Sequence, residues 1–553
     1  MWSRIGFSSL KRIILANFIA TALIGLSALT VVHNFAIPRS VLIIDLFICL
    51  SIIGGTRFAY RTCVELLGRK SVSKEKKNVL IIGAGMIGES LVREILADYE
   101  STYKPVAFLD DEKSKKGKMV QDVPVLGKIE LLPEVVYDKG ISLIIIAIAS
   151  LVGDKLKRVV NLCESVRLKY GTKYRILPGN KAIIEEHVSI SQIRKVKAED
   201  LLRRMPFEID KKTIEKHFFG KTIVVTGAAG SIGSELVRQV YNYFPMRMIL
   251  IDKAESQLFY LQQELSLKKN NVDMQYFIGD LCNYKKMEEI FKRFKPDVVL
   301  HAAAYKHVPL MEINPEEAIH NNVVSTRNMV KLSNKYRLKN FILVSTDKAV
   351  RPTNVMGASK RIAELVVQSY NGSSPTIFTT VRFGNVIGSD GSLVPLLSKQ
   401  IEKGGPVTIT HKDIERYFMT IPEAVRLITQ AMIMGKGNDV FVLDMGKPIK
   451  INDLAEDLIR LSGYKPHEQI KLMYTGLRPG EKMYEELWNG NEKIVETGHS
   501  GIKKAIQPQE NIAEIETKVE DLLSVAETFR RKDIVKKIRA LVPEADISEE
   551  IYN

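Results

Sequence analysis

An acid, an alcohol and two amines lie close together between residues 346 and 360. Thr346, Asp347 and Lys348 follow directly on an apolar run, and Lys360 comes shortly after them. A carboxyl group or an amine can transfer protons near neutral pH when burial or neighbouring charge shifts its pKa. Met356, four positions before Lys360, has a thioether that cannot exchange protons. The alternatives are a surface ion pair for Asp347 and Lys348 and a solvated helix lysine for Lys360.

These residues need a strand and a helix to position them. Residues 341–346 predict a strand, and doubly wound sheets bind ligands at the carboxyl ends of their strands. Met356 and Lys360 are four residues apart at the start of the next predicted helix, so they share one face. We therefore expect Thr346, Asp347 and Lys348 to face a ligand crevice. Lys360 is then placed to hold the ribose hydroxyls of a nicotinamide nucleotide and to supply positive charge.

A glycine-rich turn between a predicted strand and helix precedes this segment by about 110 residues. Gly227 permits a tight turn, Gly230 lets the backbone approach a pyrophosphate, and Gly233 lets the helix pack against the strand. The helix N-terminus offers free N–H groups to the phosphates, and Ser231 and Ile232 line this approach. The spacing predicts a bound dinucleotide.

Acidic and small residues at later strand ends extend this cofactor prediction. Asp252 ends the second strand, where a carboxylate can bond ribose hydroxyls and repel a 2′-phosphate, which favours NAD over NADP. Lys253, next to it, weakens that preference. The other residues predicted to contact the cofactor are Asp280 and Leu281 near the adenine, and Ala302 and Ala303 beneath the nicotinamide half.

The alternation of apolar strands with helical segments predicts an α/β protein with two Rossmann-like, doubly wound parallel-sheet domains after an N-terminal transmembrane helical hairpin. The first α/β domain has its own Gly83, Gly85 and Gly88, which suit either a bound nucleotide or a sensing or structural role. The predicted boundaries are 1–70 for the hairpin, 77–195 for the first Rossmann-like domain, 196–220 for a linker, and 221–553 for the catalytic domain with a C-terminal substrate-binding lobe.

Two apolar runs near the N-terminus, at about 13–32 and 41–56, predict the hairpin. Basic residues precede the first run and follow the second, which puts both ends in the cytoplasm. A cleaved signal peptide followed by a buried helix is the alternative. The net charge of +16 suits an anionic inner leaflet and a phosphate-bearing substrate. Nucleic acid is not expected, because no basic and aromatic reading module is present, and neither the four scattered cysteines nor the histidines have the spacing of a metal site.

Five motifs carry a more specific resemblance. From about residue 10 to 543 the sequence resembles the large, membrane-anchored bacterial UDP-N-acetylglucosamine 4,6-dehydratases of capsule and glycan synthesis, within the extended short-chain dehydrogenase/reductase superfamily. These enzymes also resemble this chain in having Met where related enzymes have Tyr; they typically have four membrane helices, whereas the last two alone are predicted here. The matching motifs are His301-Ala-Ala-Ala-Tyr-Lys-His-Val-Pro309, Ser345-Thr-Asp-Lys-Ala-Val-Arg-Pro-Thr-Asn354, Arg382-Phe-Gly-Asn-Val-Ile-Gly-Ser389, Thr410-His-Lys-Asp-Ile-Glu-Arg-Tyr-Phe-Met-Thr420 and Thr475-Gly-Leu-Arg-Pro-Gly-Glu-Lys482.

The resemblance implies an NAD-dependent lyase that oxidises C4 of the sugar, eliminates the C6 hydroxyl as water and returns hydride to C6. It implies that Thr346 hydrogen-bonds O4, that Asp347 is the acid at C6 and that Lys348 is the base at C5, for which the pKa of Lys348 must fall. Asp347 or a water held by Thr346 and Lys360 would accept the C4 proton. The implied contacts to the sugar and the uridine diphosphate are Lys306, His307, Asn385, Arg416 and Arg478.

Three alternatives remain open at this level. A C4 epimerase or a C5-inverting dehydratase shares the expected fold and cofactor, although a simple epimerase relies on the missing Tyr. A catalytically dead membrane sensor or scaffold is an alternative of another class. The final stretch, about 514–541, has apolar residues at helix spacing and predicts a helical segment that forms a packing or oligomer surface. A homo-oligomer is expected. The expected location is the bacterial cell membrane, multi-pass, with the catalytic domain in the cytoplasm.

Overall fold

The computed structural model describes residues 76–98 and 101–548, apart from gaps at 149, 178–189, 203, 205–206, 269–270 and 491, together with parts of 18–24 and 40–56. The chain divides into two compact units. One extends to Ala149 and includes Val166–Arg194, and the other consists of Ser150–Ser165 and the residues from Lys195 onward.

The first unit is built on a six-stranded sheet with the order β3-β4-β2-β1-β5-β6. All its pairs are parallel except the short edge pair β3–β4. The central strand β5 is fully buried, and β1 is buried over residues 79–82, as a sheet covered on both faces requires. The elements are β1 (Lys77–Ile82), α1 (Met86–Ala97), β2 (Tyr103–Leu109), β3 (Met119–Val120), β4 (Val123–Gly127), α2 (Leu132–Lys139), β5 (Leu143–Ile146) and β6 (Lys173–Ile176). The helix α3 (Gly153–Tyr170) is divided between the two units, with residues 153–165 in the second and 166–170 in the first.

The second unit is built on a nine-stranded sheet with the order β20-β21-β17-β12-β11-β10-β7-β8-β9. The strands from β17 to β9 are parallel, and the pairs β17–β21 and β20–β21 are antiparallel. The chain order reverses between β7 and β10, which is where open α/β sheets bind ligands. The sheet strands are β7 (Thr222–Thr226), β8 (Arg247–Asp252), β9 (Asp273–Ile278), β10 (Val298–His301), β11 (Asn340–Val344), β12 (Ile377–Arg382), β17 (Asp439–Leu443), β20 (Lys493–Glu496) and β21 (Ile502–Ile506).

Both faces of this sheet carry a hydrophobic core. Val224 and Val299 belong to one cluster, whereas their neighbours Val225 and Leu300 belong to another. Since successive residues of a strand point to opposite faces, the sheet is buried on both sides, which explains the nearly continuous apolar runs in the sequence. The prediction of two α/β units with Rossmann-like parallel sheets is confirmed.

Helices and three small sheets complete the second unit. The small sheets pair β13 with β16, β14 with β19 and β15 with β18. Their strands are β13 (Asn385–Ile387), β14 (Val407–Ile409), β15 (Glu415–Arg416), β16 (Phe418–Thr420), β18 (Ile449–Lys450) and β19 (Leu472–Tyr474). The helices are α4 (Ala198–Leu202), α5 (Lys211–Phe218), α6 (Ser231–Tyr241), α7 (Glu255–Ser266), α8 (Tyr284–Phe294), α9 (Val308–Ile313), α10 (Pro315–Ala318), α11 (Ser325–Lys335), α12 (Val355–Ser369), α13 (Leu393–Glu402), α14 (Ile421–Met434), α15 (Ile451–Leu461), α16 (Ile512–Ala526) and α17 (Arg531–Leu541).

Two segments differ from the sequence-based expectation. The segment 196–220, expected to be a linker, contains α4 and α5, and Ile214 and Phe218 are fully buried in a core of the second unit. The stretch 514–541, expected to be one helical segment, is two helices, because the chain turns at Phe529 with a φ of 56°. Both helices pack in the core of the second unit through residues such as Val519 and Ile538.

The membrane hairpin stays a prediction. Much of the expected span 13–32, and several positions of 41–56, lie outside the described residues. Within the described part of the chain, no helix has both the length and the apolarity to cross a bilayer.

Candidate active site

A cavity of about 630 Å³ opens at the carboxyl ends of the parallel strands of the second unit. Most of the residues expected to bind or react border it, although they come from distant parts of the sequence. Those bordering the cavity are Gly230, Ser231, Ile232, Gly233, Ala302, Lys306, His307, Thr346, Lys348, Met356, Lys360, Asn385, Arg416 and Arg478.

The glycine turn at the cavity is closely packed. Gly227 adopts a φ of +63°, and a Cβ there would lie 2.7 Å from Cα of Ala303, so it fits only as glycine. A Cβ on Gly233 would lie 1.9 Å from the carbonyl oxygen of Gly227, so this glycine brings α6 against the turn. The turn therefore leaves backbone N–H groups at the start of α6 facing the cavity, which fits the pyrophosphate of a dinucleotide.

Asp252 connects the end of β8 to this turn. Its carboxylate accepts hydrogen bonds from the backbone N–H of Ala229 (2.9 Å) and of Ala254 (2.9 Å), which fixes it beside the glycine turn. The neighbouring Lys253 donates through Nζ to the hydroxyl of Tyr305 and to Oδ1 of Asn321 (2.9 Å). The Lys253 ammonium is thus already engaged, so the effect expected of it on cofactor choice is reduced. The arrangement fits an adenosine ribose with two free hydroxyls.

Five residues predicted to contact the cofactor do not border the cavity: Gly227 and Asp252, described above, and Asp280, Leu281 and Ala303. Asp280 is exposed, and its Oδ1 accepts from the backbone N–H of Cys282 (2.9 Å). Leu281 is buried, and Ala303 packs against the same core and against Gly227. Their positions follow β9 and β10, as expected, but these two apolar side chains serve packing.

Thr346, Asp347 and Lys348 lie at a short turn that follows β11. Thr346 Oγ1 accepts from the Lys348 backbone N–H (3.3 Å) and donates to Asp347 Oδ1 (2.9 Å). The Asp347 backbone N–H donates to the carbonyl of Phe383 (3.0 Å), which ties the turn to the segment after β12. The turn therefore presents a hydroxyl to the cavity with a carboxylate directly connected to it.

Asp347 is fully buried and does not itself border the cavity, unlike the expectation that it faces the crevice. Oδ1 accepts from Thr346 and from Lys348 Nζ (3.0 Å), whereas Oδ2 accepts no hydrogen bond among the described residues. Burial raises the pKa of Asp347 above its ordinary value, although Lys348 opposes the shift. A carboxyl group in this position can retain a proton near neutral pH and exchange it through Thr346.

Lys348 is held between two carboxylates. Nζ lies 3.0 Å from Asp347 Oδ1, 3.3 Å from Glu485 Oε1 and 3.3 Å from Asn385 Oδ1. Burial by itself would lower the pKa of Lys348, but the charges of Asp347 and Glu485 outweigh burial and the pKa is raised. The expectation of a lowered pKa for Lys348 is therefore wrong for the protein without substrate, because sequence alone did not reveal Glu485.

Lys360 and Met356 lie on the buried helix α12, which packs closely on the turn. A Cβ on Gly357 would lie 2.2 Å from the carbonyl oxygen of Lys348, so this glycine permits the approach. Nζ of Lys360 donates to the carbonyl of Val344 (2.8 Å), and burial lowers the pKa of Lys360 to about 8. Lys360, rather than Lys348, is the lysine whose charge is easily lost. Met356 is 3% exposed and contributes only its thioether to the cavity wall.

The two arginines expected at the diphosphate differ in their surroundings. Arg416 is buried, and its Nη2 lies 3.2 Å from Glu481 Oε1 and its Nε 3.6 Å from Glu485 Oε1. Arg478 is exposed, and its guanidinium has no ion pair among the described residues, so it is free to bind an anion. Its backbone N–H donates to Glu481 Oε2 (3.2 Å), so Glu481 connects both arginines.

A buried ion cluster supports the strands that carry the turn. Arg382 on β12 is 1% exposed and binds Glu364 of α12 through two bonds of 2.9 and 2.6 Å. Glu364 also accepts from Ser345 Oγ (2.6 Å), directly before Thr346. The bidentate geometry fixes α12 relative to β11 and β12.

Two residues at the site, Glu485 and Tyr305, were not among the predicted site residues. Glu485, beyond the last recognised motif, reaches Lys348 from a loop, and no local pattern indicates that contact. Tyr305 borders the cavity and contacts Lys253. Its backbone is fixed by Asn322, whose amide bonds both the N–H and the carbonyl of Tyr305 (2.8 and 3.0 Å) from a π-helical turn at Ile319–Val324. Such turns are frequent at functional sites.

Comparisons with known proteins match both units. A family model described as "Polysaccharide biosynthesis protein" matches residues 223–507, and one described as "CoA-binding domain" matches residues 4–169. The chain is 44% identical over 490 residues to the capsular polysaccharide biosynthesis protein CapD of Staphylococcus aureus, covering 88% of this chain and 80% of that protein.

Two further relatives extend the comparison. The chain is 42% identical over 495 residues to the probable polysaccharide biosynthesis protein EpsC of Bacillus subtilis, covering 89% of this chain and 81% of that protein. It is 34% identical over 277 residues to a UDP-glucose 4-epimerase of Rickettsia canadensis, covering 49% of this chain and 78% of that protein. The residues around the cavity belong to the matched region 223–507.

Proposed function

Because this chain belongs to the polysaccharide biosynthesis protein family, we propose that it catalyses the NAD-dependent 4,6-dehydration of UDP-N-acetylglucosamine to the UDP-4-keto-6-deoxy sugar. The observation that carries this proposal is the coupled group of Thr346, Asp347 and Lys348 beside a dinucleotide-type glycine turn, in a cavity large enough for a hexose. The epimerase relative supports a nucleotide sugar as the substrate class.

Bound NAD would supply hydride chemistry, accepting hydride from C4 and returning it to C6. The chain's own residues handle the protons. Thr346 Oγ1 bonds the C4 hydroxyl and passes its proton to the ionised Asp347, since Thr346 already donates to Asp347 Oδ1. This route takes the place of the Tyr that Met356 replaces. The raised pKa of Asp347, caused by its burial, lets it keep that proton until the C6 oxygen departs as water.

Lys348 takes the C5 proton in this mechanism. The C4 ketone acidifies C5, so an amine is a sufficient base once it is neutral. Its Nζ faces the cavity next to Asp347, so the base for C5 and the acid for O6 are neighbours, as elimination requires. The C5 proton returns from Lys348 after hydride has reached C6, which leaves the enzyme unchanged.

Cation placement supports a diphosphate end of the substrate. Arg478 and Lys306 carry exposed charges on the cavity wall, and Asn385 provides an amide close to Lys348. Arg416 lies further in, between two glutamates, and positions the wall rather than offering a free guanidinium. His307 borders the cavity beside Lys306, where the sugar would lie.

Epimerisation at C4 is the second candidate, favoured by the epimerase relative. Incubating purified protein with UDP-N-acetylglucosamine and measuring product mass separates the two. Loss of one water supports dehydration; an unchanged mass with inversion at C4 supports epimerisation; and no reaction with intact cofactor binding supports a sensor or scaffold. Proton NMR of the product then gives the C5 configuration.

Membrane anchoring is a separate part of the proposal. The apolar lengths and the basic flanks of residues 13–32 and 41–56 support a hairpin with the catalytic domain in the cytoplasm. Phe18, Ile43 and Phe47 are more than half exposed, as lipid-facing residues would be. Reporter fusions after residues 36 and 75 test it: the first should report the outside and the second the cytoplasm, and any other pair of results contradicts the hairpin.

A further inference from the structure

Glu485 has no role in the proposed mechanism, although it contacts the proposed base. It lies in the loop between β19 and β20 and is 8% exposed. Its Oε1 is 3.3 Å from Lys348 Nζ and 3.6 Å from Arg416 Nε. A carboxylate buried to this extent is costly unless its charge is used or neutralised.

The second carboxylate oxygen of Glu485 is available for a proton. Oε2 is buried and accepts no hydrogen bond within the part of the chain that the structure describes. Glu485 also borders a second cavity, of about 590 Å³, together with Tyr417 and Trp488. The residue therefore stands between Lys348, which faces the first cavity, and a separate space.

The two carboxylates around Lys348 are not equivalent. Burial raises the pKa of Asp347. For Glu485 burial acts in the same direction, but Lys348 and Arg416 outweigh burial and its pKa is lowered. Once Asp347 has received the C4 proton through Thr346, it is thus the group that retains a proton, and Glu485 is the anion facing the Lys348 ammonium. Such a divergence between neighbouring carboxyl groups is the usual sign of an acid and a base with different tasks.

We propose that Glu485 is a positioning residue that accepts the ammonium proton of Lys348 when substrate fills the cavity, and so converts Lys348 into the neutral amine that takes the C5 proton. This inference rests on the proposed function. In the step, one N–H bond of Lys348 breaks and one O–H bond forms on Glu485, without change of net charge. Lys348 then takes a proton from C5 and returns it there after hydride delivery, so no further reactant is consumed.

The physical reason is the loss of water on substrate binding. An ion pair of an ammonium and a carboxylate depends on a polar environment, whereas an amine and a carboxylic acid do not. When a hexose displaces water from the first cavity, the neutral amine and carboxylic acid become more stable relative to the ion pair. Since the proton moves only within the pair, elimination needs no release of a proton to solvent.

The test is the pH dependence of elimination in Glu485→Gln, with Glu486→Gln as the matched control. Glu486 borders the same second cavity but pairs with the exposed Arg351. In the wild type we expect elimination to vary little with pH near neutrality. In Glu485→Gln it should fall by about 10²–10⁴-fold at pH 7 and rise with pH, because Lys348 must then lose its proton to solvent. Oxidation at C4, measured as the absorbance of reduced nicotinamide, should persist in Glu485→Gln.

The outcomes separate this inference from the proposed function. If the wild type releases no water, the proposed function fails. If the wild type does so and Glu485→Gln has the same rate and pH profile, only the role of Glu485 is overturned. Glu485→Asp keeps a titratable group, but further from Lys348 Nζ, so elimination should be slower and should still vary little with pH. This variant tests the role of Glu485 if Glu485→Gln does not fold. A wild-type rate in Glu485→Asp or a pH-dependent profile there would then overturn the proposal.

Discussion

Separate alanine substitutions at Gly230 and Gly233 distinguish a cofactor cradle from a purely structural turn. Gly230 has φ −71° and ψ 169°, which any residue adopts, and an added Cβ would lie 3.3 Å from the carbonyl oxygen of Gly227. We therefore expect Gly230→Ala to change the free energy of unfolding by less than about 1 kcal/mol. At Gly233 the added Cβ would lie 1.9 Å from the same oxygen and 2.7 Å from its carbon, so Gly233→Ala should cost about 3 kcal/mol or more.

The affinity for NAD should respond in the opposite order to stability, with the larger loss in Gly230→Ala. Gly230 borders the cavity, so its new methyl group would occupy the space through which a pyrophosphate reaches the start of α6. We expect the dissociation constant for NAD to rise about 10- to 100-fold, which corresponds to about 1.4 to 2.8 kcal/mol. Urea unfolding without cofactor and calorimetric titration with NAD measure the two effects independently.

A Gly230→Ala variant that binds NAD as tightly as the wild type would refute the cradle. The same conclusion would follow if Gly230→Ala lost stability as severely as Gly233→Ala, because the turn would then be a packing feature alone. Ser234→Ala, one position past Gly233, is a control: Ser234 is buried on α6 away from the cavity lining, and its loss should leave NAD binding unchanged.

Three further predictions concern charge. Glu364→Gln should destabilise the protein by about 3 kcal/mol in urea, because the buried Arg382 loses one of its two carboxylate partners and keeps only Glu492. Arg382 and Arg361 outweigh burial and lower the pKa of Glu364 from 4.5 to about 2, so wild-type stability should fall as pH drops from about 4.5 towards 2, and a flat acid profile would contradict this expectation. Burial lowers the pKa of Lys360 from its ordinary 10.5 to about 8, so the ammonium is lost as pH rises through about 8. The affinity of the wild type for NAD should therefore fall above that pH. In Lys360→Met the affinity for NAD should be weak and independent of pH. Asp252→Asn should raise the affinity for NADP relative to NAD about tenfold or more in direct titrations, and an unchanged ratio would exclude Asp252 from cofactor choice.

Local sequence determined much of the fold and of the cavity. The glycines of the turn and the end of β8 at Asp252 were predictable, because glycine spacing and buried apolar runs are local properties. The strand expected over residues 341–346 ends at Val344, so Thr346 lies in the turn that follows it. The division of residues 512–541 into two helices was not, since Phe529 adopts a positive φ without a glycine or proline to indicate it.

Environment explains the remaining differences at the site. The pKa of Lys348 depends on Glu485, which a loop distant in sequence brings to 3.3 Å. Asp347 was expected at the crevice, but its backbone bond to Phe383 and the turn after β11 bury it behind Thr346. Periodicity and motif spacing describe neither effect, because both arise from tertiary packing.

Tracing the hydride with a deuterium label on the substrate most directly tests the central claim, the 4,6-dehydration of UDP-N-acetylglucosamine. UDP-N-acetylglucosamine carrying deuterium at C4 is incubated with the purified protein, and the product is examined by mass spectrometry and NMR. Transfer from C4 to C6 within one active site predicts a product that has lost one water and carries the deuterium in its C6 methyl group. A product of unchanged mass, or one whose deuterium has remained at C4 or passed to solvent, would contradict the account.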